Sequence, residues 1–192
     1  MNYPEYVEVD GIRYKINTDF RCVLKCQEIA KSDVSDYEKV IGTIVTLFGK
    51  DGLKCKNMDK LLSLAMKYIN CGKEDKENKV NNENIDMDFK QDFGLILASF
   101  RSVHSIDLTK EKLHWWEFYD LLNGLTEECA LNRVREIRNI NLNDISDSKE
   151  KDKIRKAQKY WALEQEPVQM TEEQLKSVAT FYELTGLKRK GE

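Results

Sequence analysis

The sequence predicts a mainly α-helical fold, a multi-helix bundle preceded by a short N-terminal β-hairpin. Three observations carry that prediction. Charged residues make up 34% of the 192 and hydrophobic ones 41%, with only two prolines, a balance that suits helices better than many short strands and turns. Apolar residues recur three and four apart over most of the chain, the period of one helix face. Near the N-terminus the spacing changes to strict alternation on both sides of Asp10-Gly11.

The alternating runs are Tyr6-Val7-Glu8-Val9 and Ile12-Arg13-Tyr14-Lys15-Ile16. Asp10-Gly11 supplies the two residues that tolerate positive φ in a tight hairpin turn. Two strands alone are marginal in water, so the ribbon must lie on the helices or add to a partner's sheet. Thr18 or Asp19 then stands as the N-cap of a helix with Phe20, Val23, Leu24 and Ile29 on its apolar face. Ser35 with Glu38 forms a capping box for a second helix carrying Tyr37, Val40, Ile41, Ile44, Val45 and Phe48, ended by Gly49 and Asp51-Gly52. A third helix over about 57–70 has Leu61, Leu64, Ala65 and Tyr68 on one side, with Met58, Leu62 and Ile69 beside them, and Cys71-Gly72 closes it.

The stretch KEDKENKVNNEN, residues 73–84, holds one apolar side chain, Val80. It cannot bury enough surface to offset the entropy of ordering, and a mobile loop over 72–85 is expected. From Asp86 the helical pattern resumes with Phe89, Phe93, Ile96, Leu97, Phe100 and Val103, and residues 105–108 break it. Thr109 is placed to cap a helix on which Trp115, Phe118, Tyr119, Leu122 and Leu125 form one stripe, widened by Leu113, Trp116 and Leu121. A helix this apolar belongs mostly inside. Gly124 marks its end, and Thr126-Glu127-Glu128 reads as the start of the next, with acids where the helix dipole favours them. On that helix Ala130, Val134 and Ile137 face inward, while Arg133, Arg135 and Arg138 spread over the rest.

Residues 139–153 are polar and weakly patterned, which suggests two domains: residues 1–140, the hairpin and helical core, and residues 141–192, a charged helical extension. The extension has a helix over about 151–165 with a thin seam of Ile154, Ala157 and Trp161, stopped by Pro167. A second capping box, Thr171 with Gln174, opens a helix bearing Leu175, Val178, Ala179 and Tyr182, ended by Gly186. Such narrow seams suit docking more than core building.

Several function classes fall away at this level. A net charge of -3 and a pI near 5.6 come from interleaved signs, with Glu127, Glu128, Glu136 and Glu183 among Arg133, Arg135, Arg138 and Lys188-Arg189-Lys190. That surface is mixed and solvated, and nucleic acid is not an expected partner. No apolar run approaches the roughly 20 residues of a membrane span, and Met1-Asn2-Tyr3-Pro4 opens without a basic flank or apolar signal core. A cytoplasmic protein is expected. The five cysteines, Cys22, Cys26, Cys55, Cys71 and Cys129, match no zinc spacing and read as reduced, packed thiols. Cys22 and Cys26 share a helix face, but only two histidines exist to complete a metal set. His114, Glu117 and Asp120 line one side of a helix as half an acid–base or metal site would, with no second such element nearby in sequence. The same absence of an activating neighbour argues against Cys129 with His104 as a thiol pair. No catalytic residue, metal or cofactor is expected.

What remains is binding. Trp115 and Trp116 point about 100° apart, so both are inside only if their helix is covered on most of its circumference. Trp115 continues the Phe118–Leu122 stripe and reads as core. Trp116 reads equally as core or as an anchor for a partner, since tryptophan concentrates binding energy. Tyr160 and Trp161 sit in the most charged helix, with few local apolar neighbours. Either that helix folds back on the core or it docks on another subunit, so a homo-oligomer stays open.

A set of motifs carries a resemblance. They are the hairpin followed by Thr18-Asp19-Phe20-Arg21, then Asp86-Met87-Asp88-Phe89 with Gln91-Asp92, Ser99-Phe100 and Ile106-Asp107-Leu108. His114-Trp115-Trp116-Glu117-Phe118, Leu121-Leu122-Asn123-Gly124-Leu125 and Ile137-Arg138 complete it. Together they resemble the bacteriophage "gene product fifteen" family, encoded near the tail tube and tape-measure genes of long-tailed phages, and the His-Trp-Trp block is the most specific part. The resemblance implies a non-enzymatic phage or prophage protein of the host cytoplasm, similar in gene position to tail assembly chaperones. It implies the tape-measure protein or another tail protein as partner, bound through helix faces. Candidate contacts are Trp116, Tyr119, Tyr160 and Trp161. The alternative is a structural component retained in the virion, at the tail or its joint. The family brings no defined catalytic or binding residues to transfer.

Overall fold

A computed structural model describes residues 3–73 and 86–164. The expected mobile loop, apart from its first two residues, and the expected helix bearing Leu175 to Tyr182 lie outside the described residues. Packing divides the chain into Met1–Ala162 and Leu163–Glu192, and the hairpin and every described helix belong to the first unit.

Two antiparallel strands, β1 (Tyr6–Val9) and β2 (Ile12–Lys15), pair with Val9 opposite Ile12. Asp10 and Gly11 both take positive φ, 51° and 78°, as the tight turn requires. Val9, Tyr14 and Ile16 are buried while Ile12 and Arg13 face water. The ribbon lies on helices α2 and α3, the first of the two placements its marginal size allowed.

Seven α-helices follow among the described residues. Helix α1 (Phe20–Lys31) is capped by Asp19, whose carboxylate accepts from the Arg21 amide. Helix α2 (Asp36–Gly52) opens with both halves of the Ser35–Glu38 capping box. Its interior breaks at Gly49, where φ is 64°; only glycine takes that conformation at no steric cost. Just before the break, the Leu47 carbonyl accepts from the Asn17 amide at 2.7 Å, tying the exit of the hairpin to this helix. The apolar set of α2 is split: Ile44, Leu47 and Phe48 are buried, whereas Tyr37 and Val45 are exposed.

Helix α3 (Met58–Ile69) starts at an Asn57 cap. It closes with the Gly72 amide on the Lys67 carbonyl at 2.8 Å and the Cys71 amide on the Tyr68 carbonyl at 3.0 Å, the two bonds of a Schellman ending. Helix α4 (Phe93–His104) begins four residues later than its apolar period suggested. Asp88 is the reason: its carboxylate accepts the Lys90 and Gln91 amides and holds that stretch as a turn, with Phe89 on it.

Two further helix starts differ from expectation. Thr109 does not cap the next helix; its hydroxyl and amide bond the Asp107 carboxylate in a local turn. Helix α5 (Trp115–Asn123) is capped instead by His114. Thr126, Glu127 and Glu128 lie before helix α6 (Ala130–Asn139), whose cap is the Cys129 thiol. The buried Ser99 hydroxyl on α4 accepts the Leu131 amide at 3.0 Å. A partner far away in sequence thus helps set where α6 begins. After a 3-10 turn (Leu142–Asp144), helix α7 (Ser148–Trp161) ends before Pro167 is reached.

The core is formed by α1, α4 and α5, with α2, α3 and α6 closing around it. Phe20, Val23, Ile96, Phe100, Phe118 and Leu131 are wholly buried. Helix α7 packs on α6 and the 3-10 turn and has no buried residue.

Candidate functional site

The His-Trp-Trp block meets the end of α3, where the last carbonyls of any helix lack intrahelical donors. Trp115 Nε1 donates to the Ile69 carbonyl at 2.9 Å, and Trp116 Nε1 donates to the Tyr68 carbonyl at 3.0 Å. Adjacent indoles point about 100° apart on α5, and the C-terminal turn of α3 lies where both can reach it. Gly72 makes room: a Cβ there would meet the Trp116 ring at 3.0 Å, and its φ is +74°. Larger residues would displace the ring.

His114 orients this clasp. Its Nδ1 accepts from the Trp116 amide at 3.0 Å, which leaves Nε2 as the protonated nitrogen that donates to the Pro4 carbonyl at 3.0 Å. Tyr3 stacks on the imidazole with ring centroids 4.9 Å apart and donates its hydroxyl to Asp120 at 3.0 Å. The Phe20 amide bonds the Leu113 carbonyl, and the Trp115 amide bonds the Thr18 carbonyl. Beneath, Phe20, Phe118 and Phe100 stack in sequence at 4.5 and 5.2 Å, geometry that adds to area burial. Trp115, 1% exposed, joins that stack through Phe118 at 5.7 Å.

Trp116 is half-buried and stacks on Tyr68. Tyr119 is also half-buried, with the Lys73 ammonium 5.2 Å from its ring centroid. Tyr160 is 77% exposed and sits edge-on to the half-buried Trp161 at 4.9 Å. Tyr119 packs on Trp115 at 5.7 Å, on the same helix as Trp116, while Tyr160 and Trp161 meet on α7.

The acid–base candidates are occupied otherwise. Both His114 nitrogens are spent within the fold, Asp120 accepts Tyr3, and no three His, Cys, Asp or Glu side chains are placed to share an ion among the described residues. His104 Nε2 bonds the Leu121 carbonyl, while the Cys129 thiol accepts the Asn132 amide. Burial pushes the Cys26 thiol up to about 12 and the Cys71 thiol up to about 11. Neither is a thiolate at neutral pH. Burial also raises the Tyr68 phenol, whose hydroxyl is the one buried side-chain polar atom without a protein partner among the described residues.

One cluster escaped the sequence reading. Arg138 is no solvated surface arginine: its side chain is 10% exposed and grips Asp92, 3% exposed, by two bonds of 2.8 Å. The same guanidinium donates to the Asp86 carbonyl and, through Nε at 2.7 Å, to the Trp161 carbonyl. Gln158 adds bonds to the Ile137 and Ile140 carbonyls. One buried ion pair thus joins α6 to the turn before α4 and tethers the end of α7. Nothing local marks Asp92 and Arg138 as partners, because 46 positions separate them.

Among the described residues, no helix is long and apolar enough to cross a membrane. The family model described as "Bacteriophage Gp15 protein" matches residues 2–163. No curated protein and no solved structure matches the chain.

Proposed function

Because the chain belongs to the Bacteriophage Gp15 protein family, we propose that it is a non-enzymatic morphogenesis factor, a tail assembly chaperone that holds the tape-measure protein through helix faces. A tape-measure chain presents long apolar helical seams, and shielding them reversibly calls for complementary helix surfaces. Many copies along a repeated substrate give firm coating with modest affinity each, and permit release one by one as the tube forms.

The observation that supports this reading is where aromatic and apolar side chains are left uncovered. The polar groups of the His-Trp-Trp block are spent on holding α3, α5 and the N-terminal segment together. Tyr160 stands out from α7 with Trp161 at its side, an aromatic pair of the type on which binding energy concentrates. We assign partner contact first to Tyr160 and Trp161. The uncovered edges of Trp116 and Tyr119 form a second contact.

Co-expression with the tape-measure protein of the same phage or prophage tests the proposal. The expected result is co-purification and a rise in the soluble fraction of the tape-measure protein, both reduced by Tyr160→Ser. Unchanged solubility with no co-purification would overturn it. Recovery of the protein in purified particles would instead make it a virion component.

A further inference from the structure

Helix α7 rests on α6 and the 3-10 turn, and its half-buried residues Ile154, Ala157, Gln158 and Trp161 mark that side. About 120° round the helix from those four stand Lys149, Lys153, Lys156 and Tyr160, all exposed. They lie four, three and four residues apart, so they form one line along about 16 Å of the helix. Residues 148–161 hold six basic residues against two acidic ones, although the whole chain has 31 against 34.

We propose that this line is the docking surface for an acidic amphipathic helix of a partner protein, whose carboxylates meet the three lysines and whose apolar side chain meets Tyr160. It deepens the partner contact assigned above to α7, and rests on that reading for the role of Tyr160. Like charges three and four apart repel one another along a helix. The ion pair of α7 joins Arg155 to Asp152 on the flank of the line, and none of the three lysines has one among the described residues. Lys31, Lys54, Lys60 and Lys110, by contrast, each meet an aspartate. Carboxylates from a partner would relieve the repulsion that the chain itself leaves in place. The aromatic end of the line is also held ready. Trp161 lies edge-on to Tyr160 at 4.9 Å, and Arg138 ties the Trp161 carbonyl, so presenting the Tyr160 ring costs little further ordering.

Spacing favours a helix over a nucleic acid as the acidic partner. Steps of four, three and four are those at which two packed helices keep facing side chains in register. A strand of phosphates would run on past Lys149 and meet the exposed Asp147 and Asp144, which repel it. A partner helix of three turns ends before them.

The probe is a fluorescein-labelled helical peptide with glutamates at three successive positions of such a line and a leucine at each end, so that it fits in either direction. Its anisotropy with the full chain is expected to rise at low salt, and its affinity to fall about tenfold by about 0.2 M salt. Lys153→Glu and, separately, Lys156→Glu should each weaken binding about tenfold or more, and Tyr160→Ser should weaken it less, all with helical circular dichroism unchanged. A peptide with lysines in place of the glutamates should bind the variant with both lysines reversed and not the native chain. No binding to the native chain, or binding indifferent to both reversals, would overturn the proposal. So would a mixed-sequence DNA oligonucleotide that binds through the same lysines more tightly than the peptide. Co-expression separates this inference from the reading it deepens. Tape-measure protein captured as well by the Lys153→Glu chain as by the native one would sink the inference and leave the chaperone role standing; peptide binding without any tape-measure capture would do the reverse.

Discussion

Two pairs of neighbouring aromatics, Trp115-Trp116 on α5 and Tyr160-Trp161 on α7, serve opposite ends. In the first, each indole N–H finds a carbonyl at the end of α3, Trp115 joins the stack around Phe118 and Trp116 lies on Tyr68. In the second, Tyr160 stands in water, and the anchoring bond at Trp161 uses its backbone carbonyl. The difference lies in the surroundings. A helix end whose last carbonyls have acceptor capacity to spare turns an indole into a structural clamp, while a charged helix resting on one neighbour leaves an aromatic free to meet something else.

The comparison breaks first if the α5 pair can be removed cheaply. Trp115→Ala should lower stability by about 3–5 kcal/mol, read from urea denaturation, because it deletes a buried ring from a packed stack. Trp161→Ala should cost no more than about a third of that. The tether between the regions ranks next. Arg138→Met leaves Asp92 buried without its cation, at about 3–5 kcal/mol, whereas the double variant that also replaces Asp92 by Leu should recover much of the loss. In hydrogen exchange, α7 amides should open well before those of α5 in the native chain, since α7 has no buried residue.

Finer substitutions sharpen the same contrast. Trp116→Phe keeps a ring against Tyr68 but deletes the donor to its carbonyl, for about 1–2 kcal/mol. Tyr68→Phe removes a hydroxyl without a protein partner and should leave stability unchanged or raise it by up to about 1 kcal/mol. The smallest effect concerns acid. Asp107 is held well below the usual carboxylate range by the Thr109 hydroxyl and amide, with Arg101 assisting, and Asp10 is lowered by Lys60 and Asn57. Groups lowered on folding add stability above their unfolded pKa and lose it as pH falls through the folded value. The urea midpoint should therefore decline from about pH 5 downward, and Asp107→Asn should flatten that decline.

Much of the fold was legible because its causes are local. The Asp10-Gly11 turn, the Ser35–Glu38 box, the Gly124 end of α5 and the Ile154–Ala157–Trp161 seam each act within a few residues, and each stands where the sequence put it. Helix starts set from a distance were not legible. His114 acts as a cap in company with Pro4, 110 residues away, and the start of α6 is held by Ser99. At the candidate site, composition announced the aromatics but not their partners. Residue type left Trp116 open between core and partner anchor; the approach of α3 gives its N–H the Tyr68 carbonyl.

The bonds joining Pro4, Thr18 and Phe20 to residues 113–115 also order events at the ribosome. Synthesis runs from the N-terminus, and the hairpin and α1 are made long before the strap that covers them. Until α5 clears the exit tunnel, Phe20 lacks the ring it stacks on, and the nascent half-chain presents an uncovered greasy surface of the type chaperones bind. A stop codon between the end of α1 and His114 should thus yield an insoluble fragment, however complete its early helices.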